Sequence, residues 1–129
     1  MILLILINSL ILFGRRSQLR KVLNLPVGDP RQAHHIIPWA KGSHEAVQQA
    51  AKAGNAFHMN EALNGIAVAA WRNQPNHNLY NQRVAEKLNE ILSSSSNVDE
   101  AYEMVNGLVE TIRTVIVNNP NTHLNDLIF

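Results

Sequence analysis

Two adjacent imidazoles, His34 and His35, stand at the mouth of a short apolar run, Ile36-Ile37, which Pro38 closes. Side chains alternate along a strand, so neighbouring histidines point to opposite faces unless the strand is just starting or distorted. At a frayed strand entrance both rings can reach one site. One can then hold a metal while the other takes a proton from water, the division of labour that metal-assisted hydrolysis needs. The same pair also suits a capped strand end with one ring hydrogen-bonded in the core, and the pair by itself does not choose. The sequence contains no cysteine, which excludes disulfides, thiolate zinc sites and cysteine nucleophiles. Any metal is therefore held by His, Asn, Asp, Glu or backbone oxygens, a donor set suited to magnesium, manganese, nickel or zinc.

The elements that must position these residues are short. Leu19, Val22, Leu23 and Leu25 give residues 17–25 a helical pattern with a basic outer face. Pro26, Gly28, Asp29 and Pro30 form a rigid loop that delivers the chain extended into a strand over 33–38. Gly42-Ser43 reads as a helix stop and N-cap before an Ala- and Gln-rich helix over 45–53, with Gly54 as its C-cap. Asn64-Gly65 is a turn signal, and 66–69 follows as a second strand. Residues 77–92 read as a helix with Val84, Leu88 and Ile91 on one face. Asn97, with Glu100 completing a capping box, starts a supporting helix that runs to about 117. The tail to Phe129 carries no readable signal.

The 129 residues suit one domain with a modest core. Net charge is +1, yet its distribution is uneven. Arg15, Arg16, Arg20, Lys21, Arg31 and Lys41 crowd the front against the single acid Asp29. Glu86, Glu90, Asp99, Glu100, Glu103, Glu110 and Asp126 face only Lys87 and Arg113 at the back. A basic front and an acidic back suit a protein that presents one face to a polyanion, or simply two solvated faces. Residues 1–13 are almost wholly apolar, too short to span a bilayer as a helix and without the flanks of a signal peptide. They read as a buried first element, a partial anchor or, as favoured here, the edge of a truncated larger protein. The expected division is an apolar segment over 1–16 and a compact domain over 17–129.

His34-His35 at a strand entrance, Asn64 at a turn before a second strand and His77 at the start of a helix resemble, in this order, the HNH/endonuclease VII (His-Me finger) superfamily of metal-dependent nucleases. Ala33-His34-His35 followed by Ile-Ile-Pro, and later Asn-Gly before an apolar strand, is similar to the AHH subfamily, found mostly as toxin modules at the C-termini of bacterial polymorphic toxins. The resemblance covers roughly 26–92. It implies an α+β, mainly helical fold with a ββα-metal core and added helices. It assigns metal binding to His34 and His77, the general base to His35, and to Asn64 the task of steadying the loop and orienting that base. Asn81 lies one turn after His77 on the same face, where many relatives carry histidine and others asparagine. Two imidazoles and one amide make a loose, open site, which favours a catalytic magnesium, manganese or nickel ion over tightly held zinc.

The reaction so implied is endonucleolytic hydrolysis of a phosphodiester, DNA favoured over RNA, with His35 activating water and products carrying 5′ phosphates. Arg31, Lys41, Arg72 and Arg83 are candidate phosphate contacts, each against the plainer reading of a solvated surface charge. Asn60, Glu61 and Asn76 could hydrogen-bond the site, and the sequence does not rank them. His44 reads as exposed, His58 as a packing or loop residue, His123 as incidental, and Trp39 and Trp71 as core or cleft walls that could instead stack on a base. The resemblance further implies a domain delivered into target cells as part of a secreted bacterial toxin, acting in their cytoplasm. A cognate immunity protein would be its partner, and no stable membrane span is expected. The rival readings are a non-catalytic helical interaction module with structural histidines, and a membrane-active module led by residues 1–13.

Overall fold

The computed structural model describes residues 10–129; the apolar residues 1–9 lie outside the described part, and with them most of the segment read as a truncated edge. The described residues build a mainly helical α+β domain of two short strands and five helices. In order these are α1 (Gln18–Val22), β1 (Gln32–His35), α2 (Glu45–Ala51), β2 (Gly65–Val68), α3 (Ala70–Asn73), α4 (Asn78–Ser94) and α5 (Val98–Asn118), with 3-10 turns at Trp39–Lys41, Ala62–Asn64 and Leu124–Asp126. No helix among the described residues is long and apolar enough to cross a membrane.

β1 and β2 pair antiparallel, with Gln32 opposite Val68, His34 opposite Ile66 and His35 opposite Gly65. The ladder stops there because β2 begins at Gly65, after a 3-10 turn. The histidine pair therefore closes the first strand instead of opening it, and the strand does not continue to residue 38. Beyond it Asn64 takes over the pairing. Its carbonyl accepts from Ile36 N–H at 2.8 Å, and its side chain accepts from Ile37 N–H at 2.8 Å while donating to Ile37 O and Met59 O. Gly65 is required by packing: a Cβ there would stand 2.6 Å from Leu19 Cδ1. Leu19, on α1, is fully buried against that point.

The core lies behind the sheet. Ala46, Val47 and Ala50 of α2 pack with Val105, Val109, Ile112 and Ile116 of α5, and Tyr80, Val84 and Leu88 of α4 close the cluster. Burying aliphatic side chains of this size contributes roughly 1.5–3 kcal/mol each, which holds helices too short to persist alone. α5 has the expected cap, Asn97 Oδ1 accepting from Glu100 N–H, but Glu100 reaches back to Ser96 N–H and not to Asn97. α2 is capped by His44, not by Ser43: its Nδ1 accepts from Ala46 N–H. It also ends at Ala51, short of the expected 53.

Two arginines show how α5 supports the sheet region. Arg113 donates to Leu63 O and Gly65 O, pinning the turn that starts β2. Arg72 is buried, and its guanidinium donates to Ile116 O, Asn119 O and Thr122 O at the C-terminal end of α5. A cation suits those unpaired carbonyls and the negative end of the helix dipole. The tail, unreadable in the sequence, supplies the N-terminal cap of α4: Asn125 Oδ1 accepts from Leu79 and Tyr80 N–H.

Candidate active site

β1 sends its last two side chains to opposite sides of the strand. His34 points at α4, where its ring meets those of Tyr80 and His77 edge-on at centroid distances of 4.9 and 5.3 Å. His35 points toward Trp39, 5.3 Å away, and toward Asn60. The register between β1 and α4 is held by Tyr80, fully buried, whose hydroxyl donates to Ile36 O. Both imidazoles nevertheless line one small recess of about 30 Å³, together with His77, Asn73, Trp39 and Arg16. It lies beside a groove of about 410 Å³ that shares Arg16, Trp39, Asn73 and His77 and adds Asn76 and Asn81.

The two halves of the recess differ in how their polar atoms are satisfied. His34 is buried, and its Nε2 is enclosed with no hydrogen-bond partner among the described residues. Burial, reinforced by the nearby His77 and His35, drives its pKa well below the ordinary 6.5, so the ring is neutral and keeps a lone pair. Asn73 Oδ1, in the same recess, is likewise enclosed and unpartnered, its amide nitrogen donating to Gln32 at 3.0 Å. His77 Nδ1 lies 2.8 Å from Asn81 Oδ1, so the amide oxygen accepts and the second ring nitrogen is left free. Buried donors and acceptors without a protein partner call for one from outside the chain, a water or an ion.

These atoms fit a divalent cation. His34 Nε2 and the free nitrogen of His77 are imidazole donors, and the amide oxygens of Asn73 and Asn81 are the hard donors nearby. No group of three His, Asp or Glu side chains able to hold a metal exists among the described residues. Asn81 Oδ1 already accepts from His77, whereas Asn73 Oδ1 has no partner among the described residues.

His35 is the member of the pair with a hydrogen-bond partner. Its Nε2 lies 2.8 Å from Asn60 Oδ1. Burial lowers its pKa, the Asn60 bond opposes that, and the charge of Arg16 adds to the lowering. Asn64, expected to steady the loop and to orient this base, bonds the loop backbone and makes no hydrogen bond to His35. Asn64 spends its oxygen on Ile37 N–H and its nitrogen on Ile37 O and Met59 O, and the residue bonded to His35 is Asn60.

The expected phosphate contacts also change. Arg72 is turned inward, its Nε and Nη2 donating to carbonyls at the C-terminal end of α5. Arg31 is exposed but paired with Asp29 at 2.8 Å, holding that carboxyl down to about 2. Neither Lys41 nor Arg83 lines the recess or its groove, and Arg83 Nη1 is enclosed without a partner. Arg16, absent from that set, is the arginine that lines both. Among the other histidines, His58 accepts from the Asn60 N–H and meets Phe13 edge-on, and His123 bonds Gln74 O. Trp39 is a wall of the cleft, and Trp71 is half exposed away from it.

A buried histidine edge-on to a second imidazole, in a mainly helical domain, is by its geometry alone compatible with a structural cluster. A family model described as a nuclease family of the HNH/ENDO VII superfamily with conserved AHH matches residues 18–116. The chain belongs to the AHH nuclease family. Ala33, His34 and His35 are the family's triplet in this nuclease, and nucleic acid is its substrate class. No curated protein and no solved structure matches the chain.

Proposed function

We propose that this AHH nuclease is a divalent-metal-dependent endonuclease that hydrolyses phosphodiester bonds, with DNA as the substrate. The observation that carries the reading is the enclosed, unpartnered Nε2 of the neutral His34, edge-on to His77 and sharing one recess with His35. In this reading His34 and His77 hold the ion, an amide oxygen from Asn73 or Asn81 completes the set, and β1, β2 and α4 make the ββα-metal core. When bound, the ion neutralises the scissile phosphate and stabilises the leaving 3′ oxygen. His35 takes one proton from water as the water oxygen attacks phosphorus, and the bond from phosphorus to the 3′ oxygen breaks. The 3′ oxygen takes a proton from solvent, so the products carry a 5′ phosphate and a 3′ hydroxyl. Burial of His35 keeps the ring neutral at physiological pH, as a base must be.

The test is a plasmid-nicking assay with magnesium, manganese, nickel or zinc, beside EDTA and an RNA substrate. Cleavage that EDTA stops and that leaves 5′ phosphates supports the reading. Absence of cleavage with every ion overturns it. From the resemblance to polymorphic-toxin modules we further infer a toxin effector domain, delivered into target cells and restrained by an immunity protein. Its expected signature is growth arrest on expression in the bacterial cytoplasm, lost with His35→Ala.

A further inference from the structure

Asn60 is buried, and both ends of its amide are in use. Nδ2 meets three acceptors: Phe13 O and Arg15 O, each at 2.9 Å, and Gln18 Oε1 at 3.2 Å. Oδ1 faces His35 Nε2 at 2.8 Å. Flipping the amide would turn its oxygen onto three acceptors, so its orientation is dictated by the segment that supplies them. An amide oxygen can only accept. His35 Nε2 therefore carries the ring proton, and Nδ1 keeps the lone pair.

That segment is well anchored. Phe13 is in the core, Gln18 Oε1 also accepts from Arg15 N–H, and Gln48, buried on α2, exchanges two hydrogen bonds with the Ile11 backbone. It carries Arg16 to the wall of the recess that His34 and His35 also line. The expected boundary between residues 16 and 17 lies within this hydrogen-bonded strap. Phe13, Arg15 and Arg16 precede the residues matched by the family model, which begin at 18.

We propose that residues 13–18 are a working part of the active site. Through Asn60, a positioning residue, they hold His35 in the tautomer whose Nδ1 receives the water proton, and they present Arg16 to the substrate phosphate. The proposal rests on the reading of His35 as the general base. A strap that only packed would need neither a buried amide with a single allowed orientation nor an arginine lodged over the histidines.

The test uses the full chain without metal at pH 8, where histidine-selective 15N spectra distinguish the two neutral tautomers. The expected result is a single His35 tautomer protonated at Nε2. Asn60→Ala is expected to give averaged tautomers and a kcat lowered roughly tenfold or more, toward what a misplaced general base loses. Asn60→Asp keeps an acceptor for Nε2–H and is expected to restore the tautomer while loosening the strap, whose three acceptors it repels. It also serves if the alanine variant does not fold. Arg16→Ala is expected to leave the tautomer unchanged, raise KM and reduce the salt dependence of binding by about one phosphate contact. A wild-type ring protonated at Nδ1, an unchanged tautomer in Asn60→Ala, or an Arg16→Ala variant with wild-type KM and salt slope would overturn the proposal. The spectra require no cleavage, so failure of the nuclease reading is seen separately in the plasmid assay.

Discussion

The two sides of the recess, built around neighbouring residues of one strand, obey opposite rules. On the His35 side the contacts are closed: Asn60 is bonded at both ends, and the strap it holds is bonded in turn. On the His34 side Nε2 and the nearby Asn73 Oδ1 have no partner. A saturated network fixes a geometry, whereas buried unsatisfied atoms cost free energy until something outside the chain meets them. Under the proposed function, the contrast separates a side that would position a base from a side that would take an ion and a phosphate. It also explains why two adjacent histidines are not interchangeable. The strand's alternation assigns each to its own neighbours.

The strongest way to break this contrast is to remove each ring in turn. His35→Ala is expected to lower the cleavage rate by about 10²–10⁴ while leaving manganese affinity, measured by calorimetry, near that of the wild type. His34→Ala is expected to abolish both. Equal loss of metal affinity in the two variants would mean that the sides are not distinct. Next in size is Asn81→Ala, which frees His77 Nδ1 from its only partner. Metal affinity is expected to fall by about 10–100-fold, the usual effect of losing an orienting residue behind a ligand, with the His35 tautomer unchanged.

Asn64 sharpens the comparison from the structural side. Asn64→Ala leaves Ile37 N–H and two carbonyls unsatisfied in the core, and is expected to cost about 1–3 kcal/mol for each group stranded. That loss is read from denaturant midpoints, with the metal-free His35 spectrum intact wherever the protein stays folded. A spectrum that changed would return the orienting role to Asn64. The mildest perturbation is pH. His34 and His35 have pKa values lowered by burial, so below about 6.5 the unfolded chain takes up protons that the folded chain resists. Metal-free stability is therefore expected to be full above that pH and to decline as pH falls from 6.5 toward the lowered folded values. Denaturant midpoints at pH 7.5 and pH 5 in EDTA measure it, and His34→Asn should flatten the dependence.

Much of the scaffold was legible because it is local. The apolar spacing of α4 and α5, the Asn97 cap and the extended approach to His34 depend on residues within a turn or two of one another. The less legible parts involve long-range choices among polar residues that look alike in sequence. Asn60 and Asn64 are both asparagines four residues apart, and only the tertiary structure gives one to His35 and the other to Ile37. Arg72 and Arg16 are both arginines near the histidines, and the carbonyls left open beyond α5 draw one inward while the strap holds the other over the recess. Gly65 reads as a turn residue, yet it is needed for the close approach of Leu19, 46 residues earlier in the chain.

By itself the sequence determined which chemistry was available. Imidazoles without cysteine, in the order His34, His35, Asn64, His77, admitted an open metal site and a histidine base and excluded thiolate chemistry. Tertiary structure decided which atom performs each task. A side chain's hydrogen-bond capacity is set by its type, but its partner is set by whatever backbone or amide folding brings within 3 Å. For His35 that partner comes from Asn60, which residues 13–18 hold in turn.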